Sequence, residues 1–196
     1  EQGISTEQGI NDQGWTGKWV GFSQKKGVAW VTLNRPEARN SLSESMLQEL
    51  LEIFRHCSES EQLRAVILSG EGRVFCSGGD VALFKQLLDC PAEDRRQPLN
   101  HYIGLAHQVI LALEKIDCPV IAAIQGVAAG FGLSLALSCD LIVAESSCQF
   151  VPAYAGLGTT PDGGLTHRLP ALLGEKRAMG ILLLNRRISM SEAKEW

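Results

Sequence analysis

The chain reads as an α/β protein, and three observations predict it. Strand-like and helix-like segments alternate along its length, several of the strands are continuous apolar runs, and glycine-rich loops stand where strands give way to helices. Runs such as "RAVILSG" (64–70) and "PVIAAIQG" (119–126) have the apolar continuity of strands covered on both faces. Periodicity does not say how the sheet winds.

Taken in order, "WVGFSQK" (19–25) and "VAWVTLN" (28–34) are β-rich runs flanking Gly27, a hairpin signature. Ser43 caps a helix over "ESMLQELLEIFRHC", whose Met46, Leu47, Leu50, Leu51 and Phe54 keep helical spacing. "RAVILSG" follows as a buried strand. A helix is predicted from about Val81, broken at Pro91 and the charged segment "AEDRRQ", where Arg95 and Arg96 form a patch in a mobile loop. A long amphipathic stretch runs from about Leu99 to Ile116 and is closed by Pro119. "PVIAAIQG" is a strand, "AAGFGLSLALSC" a loop entering a helix, and "DLIVAE" a strand again. "GEKRAMGILLL" (174–184) is a further amphipathic helix, and "SMSEAKEW" looks like the first turns of another.

At 196 residues the chain supports one sizeable core, so a single domain is predicted. A net charge of −4 without a basic run argues against a nucleic-acid partner, and the longest apolar runs are too short to span a bilayer. Six scattered cysteines lack metal-ligand spacing, and no charged-then-apolar leader precedes them. They read as reduced thiols, which makes the cytoplasm the default compartment, with an organelle matrix also compatible. The first sixteen residues are polar, lack an initiator Met and repeat "EQGI" at 1–4 and 7–10, so 1–16 is expected to be a disordered or appended tail before a domain spanning 17–196.

Three glycine-rich loops carry the chemistry: "FCSGGD" (75–80), "GVAAGFG" (126–132) and "TTPDGG" (159–164). The first two follow a strand and precede a helix, a geometry that offers backbone N–H groups to an anion or a developing oxyanion. A dinucleotide site is disfavoured, because "GFGLSL" puts Leu135 where the third glycine of the fingerprint belongs. Asp162 is either a turn residue bonding nearby backbone N–H groups or a base in a cleft.

"RPEARNSL", "GEGRVFCSGGD", "PVIAAIQGVAAGFGLSLALSCDLIVAE" and "AGLGTTPDGGLTHRLPALLGEKRAM" together resemble the crotonase superfamily, the enoyl-CoA hydratases and isomerases, over about residues 19–196. The resemblance implies a spiral of ββα units, an acyl-CoA substrate, and a C-terminal helical domain truncated here. It implies homotrimers or dimers of trimers for the full-length protein, and no metal or redox cofactor beyond the coenzyme A of the substrate. It matches Gly79 and Phe131 to two backbone N–H donors for the thioester oxygen, and Ala38 and Arg39 to a segment lying along the CoA. Ser77, Asp80, Gly130 and Tyr154 fall among the substrate-binding positions.

The chain departs from the hydratase pattern at the two catalytic glutamates, whose positions fall on Ser134 and Tyr154. Neither replaces a carboxylate base near neutral pH. Asp162 matches the lone carboxylate of peroxisomal-type enoyl-CoA isomerases, which implies a Δ3→Δ2 double-bond shift. It also matches the nucleophile of chlorobenzoyl-CoA dehalogenase, whose helical histidine corresponds to His107 and whose tryptophan corresponds to Tyr154. Hydration with a rearranged base or displacement is therefore the second reading, and a non-catalytic acyl-CoA-binding module the third. Ser134 as a nucleophile has no matching His and Asp; Cys76 reads as packing, and His167 and Arg168 as residues that cap or solvate the helix after Asp162.

Overall fold

The computed structural model describes residues 10–11 and 14–196. The tail expected over 1–16 lies outside the described residues at 1–9, 12 and 13. Within it, Ile10–Asn11 (β1) and Gly14–Trp15 (β2) pair as a short antiparallel ladder.

The predicted hairpin is Val20–Lys25 (β3) and Val28–Leu33 (β4), antiparallel, turning through Lys26 and Gly27 with φ of 52° and 77°. A buried glutamate fixes where it starts. Glu49 of the helix Glu44–Glu59 (α1) accepts the N–H groups of Lys18, Trp19 and Val20 at 3.0, 2.8 and 2.7 Å. Ser43 caps α1 by accepting from Met46 N–H, and the expected apolar stripe of Met46, Leu47, Leu50, Leu51 and Phe54 is buried.

Ala65–Gly70 (β5) follows, then Val81–Leu88 (α2) and Ala92–Leu113 (α3). Helix α3 corrects the prediction of a loop over "AEDRRQ". Pro91 is its N-cap and Glu93 and Asp94 occupy its first turn, where acids suit the helix dipole, so the charged segment is helical from the start. Arg95 is spent there, donating to the carbonyls of Cys90 and Leu88 at the end of α2, at 2.7 and 2.8 Å.

The remaining elements are Val120–Ile124 (β6), Val127–Ala129 (β7), Phe131–Leu137 (α4), Leu141–Ala144 (β8), Gln149–Val151 (β9), Leu165–Leu173 (α5), Glu175–Leu183 (α6), Ile188–Ser189 (β10) and Met190–Glu195 (α7). The main sheet has the order β3-β4-β5-β6-β8, parallel from β4 onward, and a small sheet has the order β10-β9-β7. The apolar run of β8 is not covered on both faces: as the sheet's edge it leaves Leu141 57%, Ile142 37% and Val143 64% exposed.

Two single bridges explain how the chain winds. Leu42 pairs with Gly79 and Cys76 with Ala128, both parallel, and Ala128 lies in β7, which pairs parallel with β9. Each main-sheet strand β4, β5, β6 and β8 is thus followed by a short extended piece at Leu42, Cys76, β7 or β9, and then by a helix. That is four turns of a ββα spiral. Its consequence is that the segments leading from the short pieces into α2, α4 and α5 stand next to one another.

Candidate active site

Those adjacent segments are the three glycine-rich loops. A Cβ built on Gly78 would lie 2.8 Å from the Ala129 carbonyl oxygen and 3.3 Å from Phe131 N, so the first loop touches the second, backbone to backbone. A Cβ on Gly163 would lie 2.7 Å from Ser134 Cβ and 3.0 Å from the Phe131 ring, so the third touches the second as well. Glycine is required at both places by this closeness and by φ of 97° and 57°.

The two expected N–H donors emerge from fixed peptides. The Gly78 carbonyl accepts from Leu42 N–H at 2.8 Å, which turns the Gly79 N–H of the same planar peptide the opposite way. The Gly130 carbonyl accepts from Leu133 and Ser134 N–H at 3.0 and 3.2 Å, which likewise leaves Phe131 N–H at the open N-terminal end of α4. Among the described residues neither N–H has an acceptor. Gly130, at φ 53°, is anchored by its own N–H to Val151 O at 2.9 Å.

Asp162 opens a turn, its carbonyl accepting from Leu165 N–H at 3.1 Å, but its carboxylate is not what holds that turn. The turn is made by Gly163 and Gly164, both with positive φ, and the carboxylate instead takes a hydrogen bond from the Tyr154 hydroxyl, 2.5 Å to Oδ1. Ser134 Oγ lies 3.1 Å from Tyr154 Oη and donates to the backbone carbonyl of Asp162 at 3.0 Å. Ser134 is buried in α4, which is covered from Phe131 to Ala136, so its hydroxyl needs a protein partner and finds both. Burial pushes the Asp162 carboxyl above its ordinary value, with the Tyr154 hydrogen bond and the charge of His107 pulling back. Tyr154 is pushed above the usual phenol range by burial and by Asp162, so it keeps its proton and remains a donor. Among the described residues no side chain donates to Asp162 Oδ2.

His107 lies on the exposed side of α3, with its charge felt at Asp162. Asp80 caps α2 through Ala82 N–H at 3.1 Å and pairs with Arg35 at 2.6 Å. Half-buried Ala38 and exposed Arg39 are joined to the first glycine loop by Ser77 N–H, which donates to Arg39 O at 3.1 Å. Cys76 is a packing residue. It is wholly buried, its thiol is pushed up to about 12 by burial, and its Sγ–H faces Asn40 O at 3.2 Å.

Three residues of this neighbourhood escape sequence reading. Arg168, expected only to cap or solvate α5, donates to Gly163 O at 3.2 Å and forms an ion pair with Glu114 at the end of α3. Glu114 is its anchor. Tyr102, buried in α3, donates to Leu42 O at 2.6 Å and accepts from Asp80 N–H at 3.3 Å. Tyr102 and Glu114 fall within the amphipathic stretch expected over Leu99–Ile116, but neither that periodicity nor any motif points to their partners. An open cavity of about 500 Å³ along the outward side of α1, lined by Gln48, Glu52, Arg55 and His56 among others, contains none of these residues. Among the described residues no cluster of His, Cys, Asp or Glu is suited to a metal, and no helix is long and apolar enough to cross a membrane.

What the arrangement can do is hold an oxygen that becomes negative between two N–H groups while one carboxylate nearby accepts a proton. Comparison with known proteins agrees in kind. A family model described as enoyl-CoA hydratase/isomerase matches residues 23–196. A 1,2-epoxyphenylacetyl-CoA isomerase of Escherichia coli is 38% identical over 88% of this chain and 64% of its own length. A 4-chlorobenzoyl coenzyme A dehalogenase of Arthrobacter is 35% identical over 90% of this chain and 63% of its own. The crystal structure of an enoyl-CoA hydratase from Polaromonas sp. JS666 superposes with a TM-score of 0.81 at 32% identity, over 90% of this chain and 67% of that one. The chain thus spans a little under two thirds of the curated relatives it matches.

Proposed function

Because the chain belongs to the enoyl-CoA hydratase/isomerase family, we propose that it moves the double bond of a 3-enoyl-CoA into conjugation with the thioester, using Asp162 as its one base. The observation that carries this reading is the Asp162 carboxylate. It stands in the third glycine loop, whose Gly163 lies against the Phe131 ring, and is made more basic by burial, with Tyr154 holding the carboxylate and Ser134 the backbone carbonyl of the same residue. Those are the positions where a hydratase of this family would be expected to place its glutamates.

In this scheme the free oxygen of Asp162 takes a proton from C2. The C2–H electrons pass into the thioester, whose oxygen becomes negative and is met by the N–H groups of Gly79 and Phe131. The dienolate then reprotonates at C4 from the same carboxyl group, and the double bond ends between C2 and C3. Nothing is gained or lost. Ala38 and Arg39 are proposed to line the CoA path beside the first glycine loop, to which Ser77 ties them. The name of the Escherichia coli relative, an isomerase of an epoxide-bearing acyl-CoA, supports isomerisation of an acyl-CoA in general.

Displacement at an acyl-CoA is the second reading, favoured by the charge of His107 at Asp162 and by the dehalogenase names of two relatives. The test is to incubate the protein and Asp162→Asn with a 3-enoyl-CoA and follow the absorbance of the conjugated product. Conversion reduced about 10²- to 10⁴-fold in the variant is expected for loss of a general base. Halide release from a 4-halobenzoyl-CoA without isomerisation would give the second reading. Tight CoA binding with neither reaction would leave a binding module.

A further inference from the structure

We infer that Tyr102 is the positioning residue of the Gly79 donor, acting through its hydroxyl on the peptide next to it; the inference rests on Gly79 being a donor to the thioester oxygen. Two peptides flank Gly79, and each is held. The preceding one, Gly78–Gly79, is held by its carbonyl, which accepts from Leu42 N–H at 2.8 Å. The following one, Gly79–Asp80, is held by its N–H, which donates to Tyr102 Oη at 3.3 Å. With one peptide pinned on each side, the φ and ψ of Gly79 lose the freedom a glycine otherwise has, and the direction of its N–H is set.

The hydroxyl that holds the second peptide is itself fixed. Its proton goes to Leu42 O at 2.6 Å, so the same Leu42 is bound through its N–H to Gly78 and through its carbonyl to Tyr102. Leu42, Gly78, Asp80 and the phenol therefore form one closed circuit around Gly79, continuous with the Leu42–Gly79 bridge. The ring is locked too. It is 5% exposed and meets the edge of Phe84 at 87°, with centroids 5.6 Å apart. A Cβ on Gly79 would come within 3.1 Å of the Phe84 ring and 3.3 Å of the Tyr102 oxygen, which shows how closely the pair encloses that residue. The Tyr102 hydroxyl is engaged by Leu42 O and Asp80 N–H and Phe84 carries no polar group, so their effect passes through the backbone.

The test reads thioester polarisation directly, in the full chain. A conjugated 2-enoyl-CoA bound to the protein absorbs at longer wavelength when its carbonyl accepts two well-aimed hydrogen bonds. Tyr102→Phe is expected to bind it within about threefold of the parent, to lose part of the red shift, and to show kcat for the isomerisation lowered roughly tenfold with KM little changed, a fraction of what removal of a whole oxyanion donor costs. A red shift and kcat equal to those of the parent would overturn the inference. A red shift lost in the variant would uphold it even if no isomerisation is found with the parent, which would count against the proposed reaction alone. No red shift in the parent would overturn the Gly79 assignment and this inference with it. Should Tyr102→Phe not fold, 3-fluorotyrosine placed at 102 keeps the ring and weakens the oxygen as an acceptor. A smaller red shift with that residue supports the inference, and an unchanged one overturns it.

Discussion

The two sides of the candidate site are held by different means. On the Gly79 and Phe131 side the restraints are mostly main chain: carbonyls of Gly78 and Gly130 engaged by N–H groups, two parallel bridges, and a glycine pressed against a neighbouring backbone. On the Asp162 side they are side chains from three elements: Tyr154 on the carboxylate, Ser134 on the carbonyl, and Arg168 on the next carbonyl, itself held by Glu114. The first arrangement depends on where residues have no side chain, the second on which side chains they have. A substitution should therefore act on the first side by adding atoms and on the second by removing them.

Gly78→Ala tests the first half of that contrast and carries the largest expected effect. The added Cβ meets the Ala129 carbonyl oxygen at 2.8 Å, which has no flexible end to yield, at a φ of 97°. Separating the two loops should cost about 10²- to 10³-fold in kcat, as for loss of an oxyanion donor, and about 1–3 kcal/mol of stability from the strained backbone. Gly158→Ala is the control. It shares a positive φ of 69° but meets nothing within 4 Å, so its strain should appear in a thermal melt with kcat nearly intact. Equal effects of the two on kcat would show that the loop contact does not set the donors.

The same contrast accounts for what the sequence discloses. Glycines at 78, 79, 130, 132, 163 and 164 mark strand-to-helix junctions because only they tolerate the φ values or the approach, so a glycine count along the chain finds all three loops. The helix α1, with its Ser43 cap and apolar stripe, is legible for a similarly local reason. The start of α3 is not: a proline and a run of charges look like a break, while in three dimensions the proline is a cap and Arg95 closes the helix before it. The exposure of β8 follows from its place in the sheet order, which periodicity does not encode. Tyr102 and Glu114 act across 60 and 54 residues of chain, on Leu42 and Arg168, a range at which one sequence carries no local sign.

Tyr154→Phe tests the second half of the contrast by removing one hydroxyl. Burial raises the Asp162 carboxyl above its unfolded value, so the carboxylate form is the costly one in the folded protein. The stability of this position is full below the ordinary carboxylate pKa and declines as pH rises through the raised one. The Tyr154 hydroxyl favours the carboxylate and opposes that shift. Its removal should move the acidic limb of kcat/KM further up in pH. It should also cost stability at neutral pH, on the order of 2 kcal/mol for a hydrogen bond to a charged group, and less near pH 4, where the carboxyl is increasingly protonated. An acidic limb left where it was would mean that Tyr154 does not tune the base.

Glu114→Gln should have the smallest effect and separates charge from position. The glutamate is partly exposed, so its pair with Arg168 is screened and worth no more than about 1 kcal/mol. Gln keeps an acceptor for the guanidinium, and Arg168 keeps its hydrogen bond to Gly163 O. Stability should fall by at most that amount and kcat by less than about threefold, both differences shrinking in high salt, which weakens the parent's ion pair and not the variant's hydrogen bond. Arg168→Leu removes both contacts and should loosen the Gly163 carbonyl. If the two variants lowered kcat equally and high salt brought the parent down to them, the ion pair rather than the hydrogen bond would be what holds the Asp162 loop, and the base side would owe its geometry to charge.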